Sequence, residues 1–356
     1  MLARRFALVL LALAVGAGAA RDPSAELRSA IRDYIAEYRV TGCTVAIAKD
    51  GKVVFAEGFG YANVEVRAPA TAETVYRLAS VSKPITAVGV LRLVEEGKIR
   101  LDDDIRTYLP QFPDKGKPIT IRQLLNHTSG IRHYQGLESL RNTHYDGPIP
   151  ALEIFQNDPL LSDPGAEYHY STYGYTVLAA IIEKVANRRF PEYMREAVWR
   201  PAGMTATNVE DQRRIVPNRA AGYYLGPDGE WMNSVDVDLS YKWGGGGQVG
   251  TALDLCAFGS ALLAGKLLSQ DLLRQMWQPS TLADGSSIPY GLGWGITTYR
   301  GERLYAHNGA QQGARASLWI LPDRGLVIAV LTNYESHDVN RLAQLVADTW
   351  LKAASK

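Results

Sequence analysis

Strand-forming runs occupy both ends of this sequence and helical runs fill the middle, and that order limits how the chain can close. Near the start, "CTVAIAKDGKVVFAEGFGYA" places two apolar, β-branched runs around Asp50-Gly51. That dipeptide accepts positive φ and reads as the two-residue turn of a β-hairpin. Near the end, "YGLGWGITTYR", "LYAHNG", "ARASLWIL" and "GLVIAVLTN" read as strands, the last following the turn Pro322-Asp323-Arg324-Gly325. Between them, "KPITAVGVLRLVEEGK" has helical spacing and stops at Gly97, a suitable residue past a helix end. "TIRQLLNHTSGI", "PALEIFQND", "YTVLAAIIEKVANRR" and "TALDLCAFGSALLAG" also read as helices, and Thr251 with Asp254 fits a capping box for the last. Further helices are expected over 24–39, from Leu27, Ile31, Tyr34, Ile35 and Tyr38, and over 339–351. The simplest closure is a single antiparallel sheet built from both ends, covered by helices, with a mainly helical lobe inserted. The class is α+β with two lobes, and the cleft between such lobes is the natural place for a site.

The first residues stand apart from this pattern. "MLARRFALVLLALAVGAGAA" has Arg4 and Arg5, an apolar run from Phe6 to Val15, and an A-x-A sequence at Ala17-Gly18-Ala19. It reads as a secretory signal peptide over residues 1–19, which implies an exported protein, periplasmic or extracellular. A membrane enters only if that segment stays uncleaved, and no nearby cysteine suggests a lipid anchor. The expected division is then 20–85 with 245–356 as the sheet lobe and 86–244 as the helical lobe. The net charge is +1, and loss of the leader's two arginines makes it −1. Near neutrality gives no reason to expect nucleic acid as a partner. Cys43 lies in a strand pattern and Cys256 in a helical one, so two buried free thiols are expected. No Cys/His spacing resembles a zinc site, and no cofactor or metal is called for.

The chemistry begins at "YRLASVSKPIT", where Ser80 lies three residues before Lys83. Residues three apart on a helix share a face, so the lysine reaches the serine hydroxyl. A desolvated lysine loses its proton more easily, and its neutral amine is a base for a serine nucleophile. Ser82 points away and reads as a structural neighbour. Alone, S-x-x-K is more often a solvated helix start. Two further stretches supply partners. Tyr170-Ser171-Thr172 precedes a helix, and a tyrosine phenol relays protons if Lys83 lowers its pKa. His307-Asn308-Gly309 lies in a strand, where the glycine permits close approach and the next backbone N–H can join that of Ser80 as an oxyanion hole. Taken singly, the tyrosines from Tyr168 to Tyr175 read as ordinary aromatics and His307 as a polar strand residue. His127, His133 and His169 read as structural. "GGGGQVGT" lacks the lysine of a phosphate loop, so Gly244–Gly247 read as a flexible or close-packed wall, and Trp243 either lines the pocket or packs. No G-x-S-x-G occurs, so an α/β-hydrolase elbow is not supported.

In this order the three motifs resemble those of the serine β-lactamase and penicillin-binding-protein superfamily, in its class C-like branch. The opening hairpin, "LLNHTSGIRHY", "YSTYGYTVLAA" and "GGGGQVGTALDL" extend the resemblance over nearly the whole chain. Within it, "SYKWGGGGQVGTALDL" and "HTSGIRHY" are similar to bacterial relatives of the mitochondrial serine β-lactamase-like protein. The resemblance implies a β-lactamase/transpeptidase-like fold with a five-stranded antiparallel sheet. It makes Ser80 the acylated nucleophile, Lys83 its base and Tyr170 the proton relay. His307, Asn308 and Gly309 form the third motif with Thr172 beside it, and Ala310 supplies the second oxyanion N–H. Thr172 stands where asparagine is usual, and His307-Asn308 where lysine and a hydroxyl residue are usual in β-lactamases. Both departures favour a peptide, D-amino-acid amide or ester as substrate. A true β-lactamase and a catalytically quiet scaffold are the competing readings.

Overall fold

A computed structural model of the protein describes residues 23–354; the leader expected over 1–19 lies outside the described residues. Helix α1 (Pro23–Glu37) leads into β1 (Gly42–Lys49), β2 (Lys52–Asn63) and the two-residue β3 (Ala68–Pro69). The middle holds α2 (Ser82–Glu95), α3 (Thr172–Ala186) and α4 (Ala252–Leu263). The chain returns through β4 (Gly295–Tyr299), β5 (Glu302–Gln311), β6 (Ala314–Leu321) and β7 (Leu326–Thr332), then α5 (Val339–Ala354). The strands form an antiparallel sheet in the order β4-β5-β6-β7-β1-β2-β3. Both ends of the chain meet at its centre, where β1 pairs with β7 from Cys43↔Thr332 to Lys49↔Leu326.

The hairpin turn follows its sequence signal. Lys49 pairs with Lys52, and Asp50 and Gly51 take φ of 50° and 77°. Both positive values are what a two-residue turn needs to match strand twist. The sheet has seven strands rather than the expected five. At one edge, the β-branched run Ile296-Thr297-Thr298 lets β4 pair outside β5. At the other, the 12-residue β2 outruns the 8-residue β1, and its free end takes up β3.

Period-two alternation divides the core between the two faces of the sheet. Val45, Ile47, Ile328 and Val330 pack with Leu27 and Ile31 of α1 and Leu342 and Val346 of α5. Ala46, Ala48, Val327 and Ala329 face α4 and the helical region. The small residues allow close approach: a Cβ on Gly259 of α4 would lie 2.6 Å from Val327 Cγ1. Cys43 belongs to the first face and Cys256 to the second, so the sheet separates the two free, buried thiols.

Two local expectations change. "PALEIFQND" forms only the short helix Pro148–Ala151 and a 3₁₀ turn, Leu152–Ile154. The Thr251 cap is half a box. Its hydroxyl accepts from Asp254 N, whereas the Asp254 carboxylate accepts from Thr205 N, Ala206 N and the Thr207 hydroxyl. Asp254 is therefore spent on fixing the Thr205–Thr207 loop instead of the helix end. Among the described residues no helix is long and apolar enough to cross a membrane.

Candidate active site

Ser80 stands on a 3₁₀ turn, Ala79–Val81, immediately before α2. Ala79 has φ of 48°, an uncommon value for a residue with a side chain. Ala79 and Val81 are buried, and Ser80 between them is partly exposed. The tight turn brings residue i+3 over residue i, and Lys83 Nζ lies 3.1 Å from Ser80 Oγ. Ser82 faces the interior, where its hydroxyl accepts from Gln248 N.

Lys83 is wholly buried. Besides Ser80, its Nζ lies 3.1 Å from Thr172 Oγ1 and 2.6 Å from the Gly245 carbonyl. Among the described residues no carboxylate is bonded to it. Burial pushes its pKa well below the usual lysine range, and the nearby Lys242 pushes the same way. A neutral amine has two N–H donors and one lone pair. Two donors match Gly245 O and Thr172 Oγ1, and the lone pair is left for the Ser80 hydroxyl proton. The glycine run makes this possible by close packing: a Cβ on Gly245 would lie 2.6 Å from Thr172 O, and one on Gly244 2.8 Å from Thr86 Cγ2. It is a wall, and Trp243 beside it packs edge-on against Phe190.

Tyr170 and Thr172 flank Ser171, which caps α3 by accepting from Gly174 N. Two histidines of "HTSGIRHY" hold this segment by its backbone. His127 Nδ1 accepts from Ser171 N at 3.1 Å, and His133 Nδ1 accepts from Thr172 N at 3.0 Å. Both rings must therefore be neutral. Burial lowers both pKa values, with the nearby Lys83 adding to the effect, and His133 falls to about 4. The Tyr170 ring sits 4.3 Å from that of His127, and Lys83 Nζ lies 4.7 Å from its centre. Burial raises the Tyr170 pKa, against a lowering hydrogen bond with the Ser80 side chain. The phenol therefore stays protonated; burial outweighs the Ser80 hydrogen bond, and Lys83 is not among the groups that lower it, contrary to the expectation.

Strand β5 brings the third group. His307, Gly309 and Gln311 face the interior, whereas Asn308 and Ala310 are exposed. A Cβ on Gly309 would lie 2.6 Å from Leu78 O and 3.0 Å from Ser80 N, so only glycine lets the strand lie against the nucleophile. Pairing with β4 ends at Ala306, and beyond it the outer edge of β5 carries no partner strand among the described residues. His307 is buried and neutral, its pKa pushed down to about 3 by burial and by Lys83. Its Nδ1 donates to Asn308 O at 2.8 Å and its Nε2 accepts from the Tyr290 hydroxyl at 3.0 Å. Asn308 Oδ1 accepts from the Ser317 hydroxyl on β6.

A serine, a buried amine and a phenol against a free strand edge invite comparison with known proteins. The Beta-lactamase family matches residues 27–349. The chain belongs to this family. It is 30% identical to the mitochondrial serine beta-lactamase-like protein of Bos taurus, across 92% of this chain and 78% of that one. It is also 30% identical to penicillin-binding protein 4* of Bacillus subtilis, across 82% and 68%. Among solved structures, the octameric penicillin-binding protein homologue from Pyrococcus abyssi has a TM-score of 0.80 at 27% identity, over 92% of this chain and 77% of that one. As a member of the beta-lactamase family the chain is a serine hydrolase with the β-lactamase/transpeptidase-like fold.

Several residues of this beta-lactamase-family site escape the sequence reading. Gly245 gives a carbonyl to Lys83, although a glycine run signals only close packing. Tyr290 orients His307 from outside every motif. His127 and His133 lie in a quoted motif but read as ordinary structure; their spacing across a Ser-Gly turn was the available signal. Lys242 lies inside the stretch "SYKWGGGG", one residue before Trp243, but nothing in that stretch assigns it a role.

Proposed function

We propose that the protein forms an acyl-enzyme at Ser80 and hydrolyses an amide or ester bond in a peptide, a D-amino-acid amide or a similar small substrate. The arrangement around Lys83 Nζ carries this reading: two acceptors for its N–H groups and the Ser80 hydroxyl at its lone pair. In acylation, Ser80 Oγ attacks the carbonyl carbon and its proton passes to Lys83 Nζ. The backbone N–H groups of Ser80 and Ala310 face the developing oxyanion. As the tetrahedral intermediate collapses, Tyr170 gives its phenolic proton to the leaving nitrogen or oxygen and regains one from Lys83. Water then attacks the acyl carbon with the proton path reversed, and Ser80 is released.

Thr172 Oγ1 takes the Lys83 contact that an asparagine amide would make, so the departure at this position keeps the lysine's network. The head of the third motif is different. A neutral, buried His307 and an Asn308 side chain tied to Ser317 offer no cation or hydroxyl to a β-lactam carboxylate. The relatives include D-aminopeptidases, one from Brucella anthropi at 29% identity over 88% of this chain and 60% of that one. That supports an amide over a β-lactam. Export remains part of the proposal, on the strength of the Arg4-Arg5 and Phe6–Val15 pattern.

The test is covalent. A fluorophosphonate probe is expected to label the protein at Ser80, identified by mass spectrometry of the tagged peptide, and to leave Ser80→Ala unlabelled. Wild-type protein that stays unlabelled while control hydrolases react sinks the proposal.

A further inference from the structure

Lys242 is a second buried lysine at this site, and the chemistry above does not use it. It is 2% exposed and forms no ion pair with any described residue. Glu210, a carboxylate whose charge acts on Lys242, is bonded to Arg77 at 2.8 Å. Among the described residues its Nζ has one hydrogen bond, a long one of 3.3 Å to Gln311 Oε1. The rings of Tyr134 and Tyr241 lie 5.2 and 5.1 Å away. An ammonium has three donors, so most of its capacity is unspent. Gln311 is 6% exposed, and its Nε2 is buried without a partner. Unpaired donors in a protein interior are costly unless something satisfies them.

Their place in the site gives them a use. Lys242 Cδ, Gln311 Oε1 and the carbonyl carbon of Ala79 converge on one point beside Gly246, at 3.2, 3.7 and 3.7 Å from where a Cβ would sit. Ala79 precedes the nucleophile. Along the inner face of β5, Gly309 rests on Ser80, with His307 to one side and Gln311 to the other, each about 7 Å away by strand geometry. His307 lies toward Tyr170, their rings 6.3 Å apart. Tyr170 serves the leaving group, so the opposite direction, toward Gln311 and Lys242, belongs to the acyl group.

We propose that Lys242 and Gln311 form an acyl-side subsite that selects substrates whose acyl group carries a carboxylate a few bonds from the scissile carbonyl. The Lys242 ammonium and the Gln311 amide N–H each donate to one carboxylate oxygen, and the faces of Tyr134 and Tyr241 flank the acyl chain. The step of about 7 Å along β5 from Gly309, which rests on Ser80, to Gln311 sets the scale of the acyl group at about glutaryl length. This inference rests on the acyl-enzyme reading for the direction of the substrate, and its test does not require turnover.

Binding is measured by calorimetry at pH 6, where Lys242 is an ammonium, on Ser80→Ala protein with glutaramate, whose amide stands for the scissile bond and whose far end is a carboxylate. Glutaramide is its neutral isostere. Glutaramate is expected to bind at least tenfold more tightly. Adding Lys242→Met removes that preference, Gln311→Leu reduces it, and Lys242→Arg, which keeps a cation, retains it. Circular dichroism checks each variant, and if Lys242→Met does not fold, Gln311→Leu and Lys242→Arg still decide. Equal affinity for the two ligands overturns the subsite, as does a preference that survives Lys242→Met. Failure of Ser80 to label, with the preference intact, overturns the hydrolase reading and leaves the subsite standing.

Discussion

Lys83 decides what Ser80 can do, because a serine hydroxyl at its ordinary pKa is a weak nucleophile. Its three neighbours are two groups that accept from a neutral amine and one hydroxyl, 3.1 Å away, whose proton its lone pair is placed to take. With the pKa held well below the usual lysine range by burial, the neutral form is reached at lower pH than in water. Activity needs that form, so the rate of Ser80 acylation rises with pH through the lowered Lys83 pKa and then levels. A profile of fluorophosphonate labelling against pH checks this. A limb at the ordinary value of 10.5 would show that the lysine is charged at rest. Lys83→Met is expected to slow labelling by about 10²–10⁴-fold, the usual worth of a positioned base. Lys83→Arg is expected not to rescue it, since a guanidinium does not give up its proton.

The elements that carry these residues were unequally legible. The hairpin at Asp50-Gly51, the helix ending at Gly97 and the strand bearing His307 follow from turn chemistry and periodicity, which are local properties. The seventh strand did not, because β3 exists only where β2 outruns its partner. The motif positions Ser80, Lys83, Tyr170 and Gly309 could be named from sequence, but their contacts could not. The Gly245 carbonyl reaches Lys83 from 162 residues away, and no local pattern encodes that. The segment before α3 shows the same limit. Tyr170 sits in a loop whose position depends on two backbone bonds to histidines about 40 residues earlier. His133 tests this. In His133→Asn the side-chain oxygen can replace Nδ1 as the acceptor for Thr172 N–H. In His133→Leu that N–H is orphaned and Tyr170 is free to shift. A displacement of about 1 Å costs on the order of 10²-fold in rate. The leucine variant is expected to lose kcat with KM little changed, and the asparagine variant to keep most of it. Equal activity of the two, measured on folded protein, would reduce His133 to filling space.

For the whole molecule, a site built from neutral bases ties stability to pH. Of the chain's six histidines, four (His127, His133, His307 and His337) have pKa values pushed down by burial, His133 and His337 to about 4 and His307 to about 3. In the unfolded chain each returns to 6.5. Between these values the unfolded state binds protons that the folded state refuses, so stability rises with pH across that window and is lost as pH falls from 6.5 toward 4. Lys83 and Lys242 act in the same sense at higher pH. The Lys242 pKa is lowered to about 7 by burial, so above that value, with no carboxylate bound beside it, only the unfolded chain holds its proton. Glu183 and Asp254, whose pKa values burial raises, oppose the histidines, and their contribution is lost as pH rises through their folded values. Four histidines outweigh two carboxyls. The urea midpoint is therefore expected to fall steadily from pH 7 to pH 5, with unfolding taking up protons in that range. His337 packs against Tyr34 and Tyr334, away from Ser80. His337→Asn is expected to flatten the slope by about one proton's worth, about 1.4 kcal/mol per pH unit, while Ser80 still labels. A midpoint that does not move between pH 7 and pH 5 would mean that these rings carry charge in the folded protein. The acceptor roles of His127 and His133 would then fail with it, since a protonated Nδ1 cannot hold the backbone of Ser171 and Thr172.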